Sequence, residues 1–357
     1  MAIYVLCFLT LPIYDVLIKD RKKLVTILTL QLFLILALRD PTLGVDLPNY
    51  SGGYNYISSL GFTDMLSRLN FLSTAELVYP YEYESGYVVL NWLLGKAGIS
   101  FHAFLVLHAA FCMTSFGVFI YRYSRLPWLS FSMLIAFSYF EYSFGILRQL
   151  LAISILLWAV PFIEKRRRLL PFLLLVLLAF TVHRTAIVFL VLYLARYVKV
   201  TRIVYLVNAA LWVVLIAVSP FVFNVFVKRV LEILGKNSYA SFSFEWSNMT
   251  TLLLLFAVAA FITLDFDSMK EKRNSILCWG FLLAMPFQIF AMSNEVFGRM
   301  ILYYMILGIA FIPNILADYR KSRMLAEVGK YALWIFLFVF SVYQFYDSPI
   351  MPYISVF

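Results

Sequence analysis

Long apolar runs separated by short polar segments extend along most of this 357-residue chain. Several runs fall short of the roughly 20 residues with which an α-helix crosses a bilayer, but together they predict about twelve membrane spans. Helices are expected because an open chain in hydrocarbon must satisfy its backbone N–H and C=O groups within each segment. The pattern therefore predicts an all-α, polytopic transmembrane bundle. Its spans are expected near 2–17, 24–38, 102–121, 127–142, 147–163, 169–183, 185–198, 203–219, 250–266, 275–292, 299–316 and 330–346.

The composition agrees with this pattern, because 63% of the residues are hydrophobic, 13% are charged and the mean hydropathy is +0.88. A soluble domain is closer to about half apolar and about a quarter charged. Few residues remain for a soluble domain, so we expect residues 1–357 to form one transmembrane domain. The first residues include no leading Lys or Arg and no small-residue cleavage site, which favours a retained first span over a removed signal peptide.

The net charge of +10 arises largely from Lys and Arg residues that stand in short clusters between apolar runs. Such clusters favour the cytoplasmic side of a membrane, so they indicate topology, and nucleic acid is not an expected partner. With the clusters in alternate cytoplasmic loops, both termini lie outside. The clusters are Lys19-Arg21-Lys22-Lys23, Arg122/Arg125, Lys165-Arg166-Arg167-Arg168, Arg196/Lys199/Arg202, Lys270/Lys272/Arg273 and Arg320/Lys321/Arg323.

One apolar run, from Gly86 to Gly98, conflicts with this orientation. If it crossed the membrane fully, Arg122 and Arg125 would lie outside. We therefore expect a re-entrant or interfacial helix on the outer face. The outer face then carries two sizeable segments, 39–100 and 220–249.

The first outer segment combines charge, turn residues and aromatic rings. Arg39 and Asp40 stand at a span end and are followed by Pro, Gly and Asp46, which is turn chemistry at the membrane surface. Aromatic faces stack on sugar rings and carboxylates accept hydroxyl protons, so the segment suits carbohydrate; an interfacial aromatic belt is the alternative. The aromatic and acidic residues are Tyr50, Tyr54, Tyr56, Tyr79, Tyr81, Tyr83, Tyr87, Glu76, Glu82 and Glu84.

A few ionisable residues stand near the predicted outer ends of other spans. Charged groups at such depth usually face a bundle interior or a water-filled cavity. Arginine suits phosphate because its planar fork donates two parallel hydrogen bonds and stays charged. Four arginines that converge in one outer cavity would form an anion site: Arg39, Arg148, Arg184 and Arg299.

Structural roles are open for the same residues. Arg148 or Arg299 can extend to lipid headgroups. His183 can be a helix-end hydrogen-bonding residue, and Glu295 can pair with Arg299. Asp40 can be a partner for Arg39, and for Glu141 a structural role is favoured.

Several kinds of site are disfavoured by the sequence. It has no Walker A loop and no Gly-rich dinucleotide fingerprint. Three histidines without an HExxH motif disfavour zinc, and the cysteines stand singly in apolar runs. Asp265 and Asp267 form a DxD-like pair, but at a predicted cytoplasmic helix end. We expect neither a metal nor a cofactor.

An ordered set of short motifs runs from residue 38 to residue 353. The set comprises Leu38-Arg39-Asp40, Gly44-Val45-Asp46 with Tyr50, Tyr83-Glu84-Ser85-Gly86-Tyr87 with Leu90-Asn91, Arg148-Gln149-Leu150-Leu151-Ala152, His183-Arg184-Thr185-Ala186, Arg299-Met300 with Tyr303-Tyr304, and Pro352-Tyr353. In these motifs the chain resembles the EpsG-like family of Wzy-type polysaccharide polymerases. The chain departs from the family pattern at two positions. Arg184 stands where a small or less basic residue is expected after the histidine, and Leu47 stands where Thr or Ser usually follows the Gly-x-Asp motif.

The resemblance implies a GT-C-like membrane glycosyltransferase of the bacterial inner membrane that is active on the periplasmic face. Such enzymes transfer a growing glycan from undecaprenyl diphosphate onto the next lipid-linked repeat unit. Both lipid-linked oligosaccharides are then partners, as are membrane lipid and, as a candidate, a chain-length regulator protein. Preorganised arginines would stabilise the leaving diphosphate, and a carboxylate or imidazole would accept the acceptor's proton.

We assign expected roles on this basis. Diphosphate contacts fall first to Arg148 and Arg299, with Arg39 and Arg184 in support. The base is expected to be Asp46 or Glu84, with His183 as the rival. Sugar contacts are expected from Tyr50, Tyr83, Tyr87 and Glu295.

Two other functions remain open. One is a flippase or transporter for lipid-linked glycans that uses the same arginines; it would normally have charged midplane residues and broken helices in matched halves, and the sequence shows neither clearly. The other is an O-antigen ligase or a single-sugar transferase on the same face.

Overall fold

A computed structural model of the chain describes residues 2–78, 81–164, 168–222, 225, 228–229, 246–264, 272–292, 294–319, 321–346 and 348–356. Within these ranges the regular structure is helical, and pairing between extended segments is limited to two isolated bridges, Arg39 with Ser355 and Thr74 with Glu84. The prediction of a helical membrane protein is confirmed.

The chain divides into two compact units, one formed by Met1–Leu190 with Gly329–Phe357 and the other by Val191–Val328. The prediction of a single transmembrane domain stays a prediction. The α-helices are α1 (Ala2–Leu17), α2 (Arg21–Ala37), α3 (Leu47–Ser59), α4 (Phe62–Ser67), α5 (Ser85–Lys96), α6 (Phe101–Tyr123), α7 (Pro127–Ala136), α8 (Tyr139–Tyr142), α9 (Leu147–Leu157), α10 (Val160–Glu164), α11 (Leu169–Val182), α12 (Arg202–Val222), α13 (Trp246–Leu264), α14 (Lys272–Ala291), α15 (Glu295–Asp318) and α16 (Arg323–Tyr346).

Each predicted span coincides with helical structure, but the helices differ in length. In the described part of the chain, six helical segments are long and apolar enough to cross a membrane: Phe101–Tyr123, Leu147–Glu164, Arg202–Val222, Arg273–Ala291, Phe297–Asp318 and Arg323–Tyr346. Four shorter apolar helices accompany them: Ala2–Leu17, Pro127–Ala136, Leu169–Val182 and Thr250–Thr263. The chain is therefore a multi-pass helical membrane protein, while the count of about twelve spans and the GT-C-like class remain predictions.

The predicted span 127–142 is broken in the structure. α7 ends at Ala136, and Ser138 takes a left-handed conformation with φ 61° before α8 begins. A non-glycine residue in this region cannot continue a right-handed helix, so the chain changes direction there. The predicted span 185–198 also differs, since Arg184–Arg196 is a 3₁₀ helix. A 3₁₀ helix rises about 2.0 Å per residue, so its thirteen residues extend over about 26 Å.

Glycines allow the helices of the first unit to approach closely. A side chain at Gly53 of α3 would overlap the ring of Tyr83, whose Oη and Cε2 would both be 2.5 Å from the added Cβ. A side chain at Gly86 of α5 would overlap Thr181 near the end of α11. α5 therefore packs against α3 and α11.

α5 has twelve residues and is about 18 Å long, which is shorter than a hydrocarbon core of about 30 Å.

The C-terminal segment of the first unit is hydrogen-bonded to the end of α2. The Asp40 backbone N donates to Ile354 O at 2.9 Å, and Val356 N donates to Leu38 O at 3.0 Å. The Tyr353 hydroxyl donates to Ile35 O at 2.9 Å. These bonds fix the start of the 39–100 segment, which continues into α3.

The second unit is organised around α14 and α15, which pack along each other. Asn314 donates to the Asn274 side-chain oxygen at 3.1 Å, and Asn274 donates to Asp318 at 3.2 Å. Tyr205 of α12 donates to Ala259 O of α13 at 2.6 Å. Most of the predicted second outer loop, 220–249, lies outside the described residues, as do Tyr79, Asp265 and Asp267.

Candidate functional site

The Glu84 carboxylate is the centre of a polar cluster in the first unit. Its Oε2 accepts a hydrogen bond from Arg148 Nη1 at 2.5 Å. Its Oε1 lies 3.0 Å from His183 Nδ1 and accepts a bond from the Arg184 backbone N at 3.2 Å. The Glu84 side chain is only 7% exposed. Three segments far apart in sequence thus converge on one buried carboxylate.

Local structure explains why Glu84 occupies this position. Glu84 is the residue before α5, in extended conformation, and forms a bridge with Thr74. The Ala75 backbone N donates to Tyr83 O at 2.8 Å, and Asn70 N donates to the Ser85 hydroxyl at 2.8 Å. The segment before α5 is therefore held on both sides of Glu84, which orients its carboxylate.

Gly86 brings the start of α5 against the end of α11. An added Cβ there would lie 2.7 Å from both Cβ and the backbone O of Thr181, closer than atoms normally approach. Since Thr181 precedes His183 by two residues, this contact sets the distance from His183 to Glu84. Gly86 is thus a site residue without a predicted role of its own, present in the sequence as part of the Tyr83–Tyr87 motif.

Replacing Gly86 by Ala should separate α5 from α11. We expect a loss of stability of about 1–3 kcal/mol, typical of overpacking, and a lower rate of the reaction proposed below. Thermal stability in detergent and turnover measure the two effects. Gly61→Ala is the matched control, because the space around Gly61 is open and the expected effect is small. A Gly86→Ala protein with unchanged stability and turnover would contradict the packing argument.

The ionisation state of Glu84 follows from its partners. Burial raises the pKa of Glu84, but the hydrogen bond from His183 and the positive charge of Arg148 outweigh it and hold the pKa at about 2. The carboxylate is therefore ionised near neutral pH and binds protons weakly. Such a group orients its neighbours well and is a poor general base.

Arg148 lies on a platform of tyrosines. Its guanidinium carbon lies 5.0 Å from the centre of the Tyr83 ring and 5.9 Å from that of Tyr50. Its Nε donates to the Tyr50 hydroxyl at 3.3 Å, and Nη1 also donates to Glu82 O at 2.8 Å. Nη2 makes no hydrogen bond to the described part of the chain, and the side chain is 22% exposed. One edge of a fixed guanidinium therefore remains available to an anion.

The three tyrosines predicted to contact sugar form this platform. Tyr50 stacks on Tyr83 with ring centres 5.7 Å apart, and Tyr87 meets Tyr83 edge-on at 5.4 Å. The Tyr83 hydroxyl donates to Asn49 O at 3.0 Å. All three side chains are buried; the rings contact each other, and those of Tyr50 and Tyr83 also contact Arg148. In this arrangement the rings support the cation.

Asp46 and Arg184 lie at the edge of the cluster. Asp46 is exposed just before α3, where its charge adds to burial in raising the pKa of Tyr83. Arg184 reaches Glu84 through its backbone N, while its side chain is exposed. Asp46 and the Arg184 side chain are therefore both accessible to a substrate.

Arg39 lies elsewhere in the first unit and is fully buried. Its Nη1 donates to Ser143 O at 2.6 Å, and its guanidinium carbon lies 5.1 Å from the centre of the Phe144 ring. Burial lowers the pKa of Arg39 to about 10, so it stays protonated near neutral pH. A buried arginine that holds the turn before α9 is suited to positioning Arg148, and a direct phosphate contact by Arg39 stays an untested prediction.

His108 of α6, for which no role was predicted, contacts the same turn. Its Nε2 lies 2.9 Å from the Leu147 backbone O, directly before Arg148. With Arg39 on Ser143, two buried side chains thus fix the turn between α8 and α9. The only sequence signal was a histidine inside an apolar run.

The other two predicted residues belong to the second unit. Arg299 lies in the first turns of α15 with an exposed side chain. Glu295 begins the same helix, and its side chain lies outside the described part. In the described chain, no group of three or more His, Cys, Asp or Glu residues is arranged to hold a metal ion.

The fold and the polar cluster define a polytopic helical membrane protein with a paired carboxylate, imidazole and guanidinium. The model of the EpsG family matches residues 22–355, nearly the whole chain, and the chain belongs to that family. It is thus a polysaccharide-polymerase-like membrane protein of glycosyltransferase type. No curated protein and no solved structure matches the chain.

Proposed function

We propose that the protein polymerises lipid-linked repeat units. A growing glycan is transferred from undecaprenyl diphosphate to a sugar hydroxyl of the next lipid-linked unit, at the periplasmic face of the bacterial inner membrane. No metal takes part, and a chain-length regulator protein is the candidate partner. Membership of the EpsG family and the cluster around Glu84 support this proposal.

The observation that carries the proposal is that the guanidinium of Arg148 is held in place by hydrogen bonds from Nε and Nη1. Glu84, Glu82 O and Tyr50 orient Nη1 and Nε, while Nη2 makes no hydrogen bond to the described part of the chain. When the glycosyl–phosphate bond breaks, negative charge develops on the departing diphosphate. A preorganised donor stabilises that charge without having to rearrange during the reaction. The exposed side chain of Arg184 is proposed as a further diphosphate contact, and the predicted diphosphate role of Arg299 stays a prediction.

His183 is our choice for the base. With Nδ1 donating to Glu84, the neutral imidazole leaves Nε2 as an acceptor. The acceptor hydroxyl oxygen attacks the anomeric carbon, its proton passes to Nε2, and the bond to the diphosphate breaks with its electron pair on the leaving oxygen. Because the pKa of Glu84 is about 2, this carboxylate serves to orient His183. Asp46 remains the rival base, since it is exposed beside the tyrosine platform.

Purified protein in liposomes with a lipid-linked repeat unit tests the proposal. We expect a ladder of glycans that grows by whole repeat units and requires no added metal. Movement of the lipid-linked unit across the bilayer without a new bond would indicate a flippase instead. Transfer of a single unit to another acceptor, without a ladder, would indicate a ligase or a single-sugar transferase.

A further inference from the structure

A groove of about 310 Å³ runs between α2 and α6 in the first unit. It begins at the N-terminal end of α2, and none of the residues that line it belongs to the cluster around Glu84. Lys22 and Leu30 stand eight positions apart on α2, so the groove is about 12 Å long. The residues that form its walls include Lys22, Thr26 and Leu30 of α2 and Thr114, Val118 and Tyr121 of α6.

Gly117 and Thr29, which both line the groove, set how closely its two helices approach. A side chain at Gly117 would overlap the hydroxyl of Thr29, so α2 and α6 touch at this point. The Thr29 hydroxyl donates to Val25 O within its own helix at 2.7 Å. Since that hydrogen-bonding group is satisfied, the surface offered to a ligand is mainly carbon.

Among the residues that line the groove, positive charge stands at the end marked by Lys22. Arg21 is held there, with its guanidinium carbon 5.5 Å from the centre of the Tyr121 ring and hydrogen bonds to Tyr121 O and Ser124 O. Lys22 is exposed, lines the groove, and forms no ion pair with the described part of the chain. Its ammonium can therefore reach an anion at the mouth of an apolar channel.

We propose that this groove binds one acyl chain of an anionic glycerophospholipid, with the lipid phosphate on Lys22. The carbon-lined channel fits the chain, and the adjacent basic residues complement a headgroup with net negative charge. A zwitterionic phospholipid with the same acyl chains fits the groove equally well but has no net negative charge, so we expect it to bind more weakly than the anionic lipid. The lipid belongs to the leaflet that contacts the Lys/Arg-rich helix ends.

Native mass spectrometry of the detergent-solubilised protein tests this site, with phosphatidylglycerol and phosphatidylethanolamine of identical acyl chains as probes. We expect one phosphatidylglycerol to be retained in preference. Lys22→Gln should weaken its retention about fivefold, the effect of one ion pair worth about 1 kcal/mol. Lys23→Gln is the matched control, since Lys23 is also exposed in the same cluster but does not line the groove.

A second variant tests the acyl chain. Thr114→Trp fills the groove from an exposed position, so it should reduce retention of both lipids while thermal stability is unchanged. Equal losses for Lys22→Gln and Lys23→Gln would mean diffuse attraction to the basic cluster and overturn the proposal. Equal retention of the two lipids in the wild-type protein, or full retention by Thr114→Trp, would overturn it as well.

Discussion

Replacing Arg148 by Ala should reduce the rate of ladder formation by a factor of about 100 to 1,000, the usual effect of removing one preorganised donor to a developing oxyanion. The guanidinium is aligned before any substrate arrives, by Glu84 at 2.5 Å and by Glu82 O at 2.8 Å. Its removal leaves the departing diphosphate without that donor. The measurement is the initial rate of polymerisation by purified protein in liposomes.

Glu84 is buried, so removing Arg148 also removes a partner from a buried charge, and the variant must be shown to fold. His183 and the Arg184 backbone N remain bonded to Glu84, which limits the damage. Arg148→Lys keeps the charge but not the planar fork, so we expect near-normal stability and still a large loss of rate. Full-length polymer at wild-type rate from both variants would remove Arg148 from the mechanism.

Arg68→Ala is the control for Arg148→Ala. Like Arg148, Arg68 pairs with a carboxylate: its Nε lies 3.0 Å from Asp64 Oδ1, within the 39–100 segment. That pair joins residues four apart on a partly exposed helix end, so its contribution to stability is small. Polymerisation by Arg68→Ala should stay within about twofold of wild type. A comparable loss in both variants would indicate a general effect of positive charge.

Helix positions could be predicted from sequence because burial in lipid requires long apolar runs, and these are visible without any tertiary information. The break at Ser138 could not, because Phe137 and Ser138 are ordinary residues in an apolar run and only their packing imposes the left-handed turn. The 3₁₀ geometry of Arg184–Arg196 was missed for the same reason. In both places a continuous α-helix and the observed conformation would have the same pattern of hydrophobic residues, so the sequence does not distinguish them.

The cluster itself was partly predictable. Arg148 and His183 were predicted because ionisable residues at the helix ends of a membrane protein are costly unless they are used, and Glu84 because it lies among the aromatic residues of the first outer segment. The sequence did not reveal that one carboxylate contacts both Arg148 and His183, nor that Arg39 would be buried on Ser143. Those contacts depend on which helix ends pack against each other. Gly86 allows the start of α5 to pack against Thr181, but a glycine has no functional group that would identify it from sequence as a site residue.

This arrangement also separates the two roles that a carboxylate can play. A buried Glu84 that is bonded to Arg148, His183 and a backbone N–H is stabilised as an anion, and its pKa of about 2 makes it a weak proton acceptor. An imidazole held by such an anion has one fixed tautomer and one free nitrogen. The assignment of the base therefore reduces to a comparison between His183 and the exposed Asp46.

His183→Ala should lower the rate of polymerisation by about 100-fold or more, because general-base catalysis contributes that much. Added imidazole should restore part of the lost rate, since a small base can occupy the vacated space; a residue that serves only as a helix-end contact would give no such rescue. Asp46→Asn is the matched comparison, because Asp46 is exposed and makes no cap hydrogen bond, and we expect it to retain most activity. The reverse pattern, an inactive Asp46→Asn and an active His183→Ala, would assign the base to Asp46 and leave His183 with the orienting bond to Glu84.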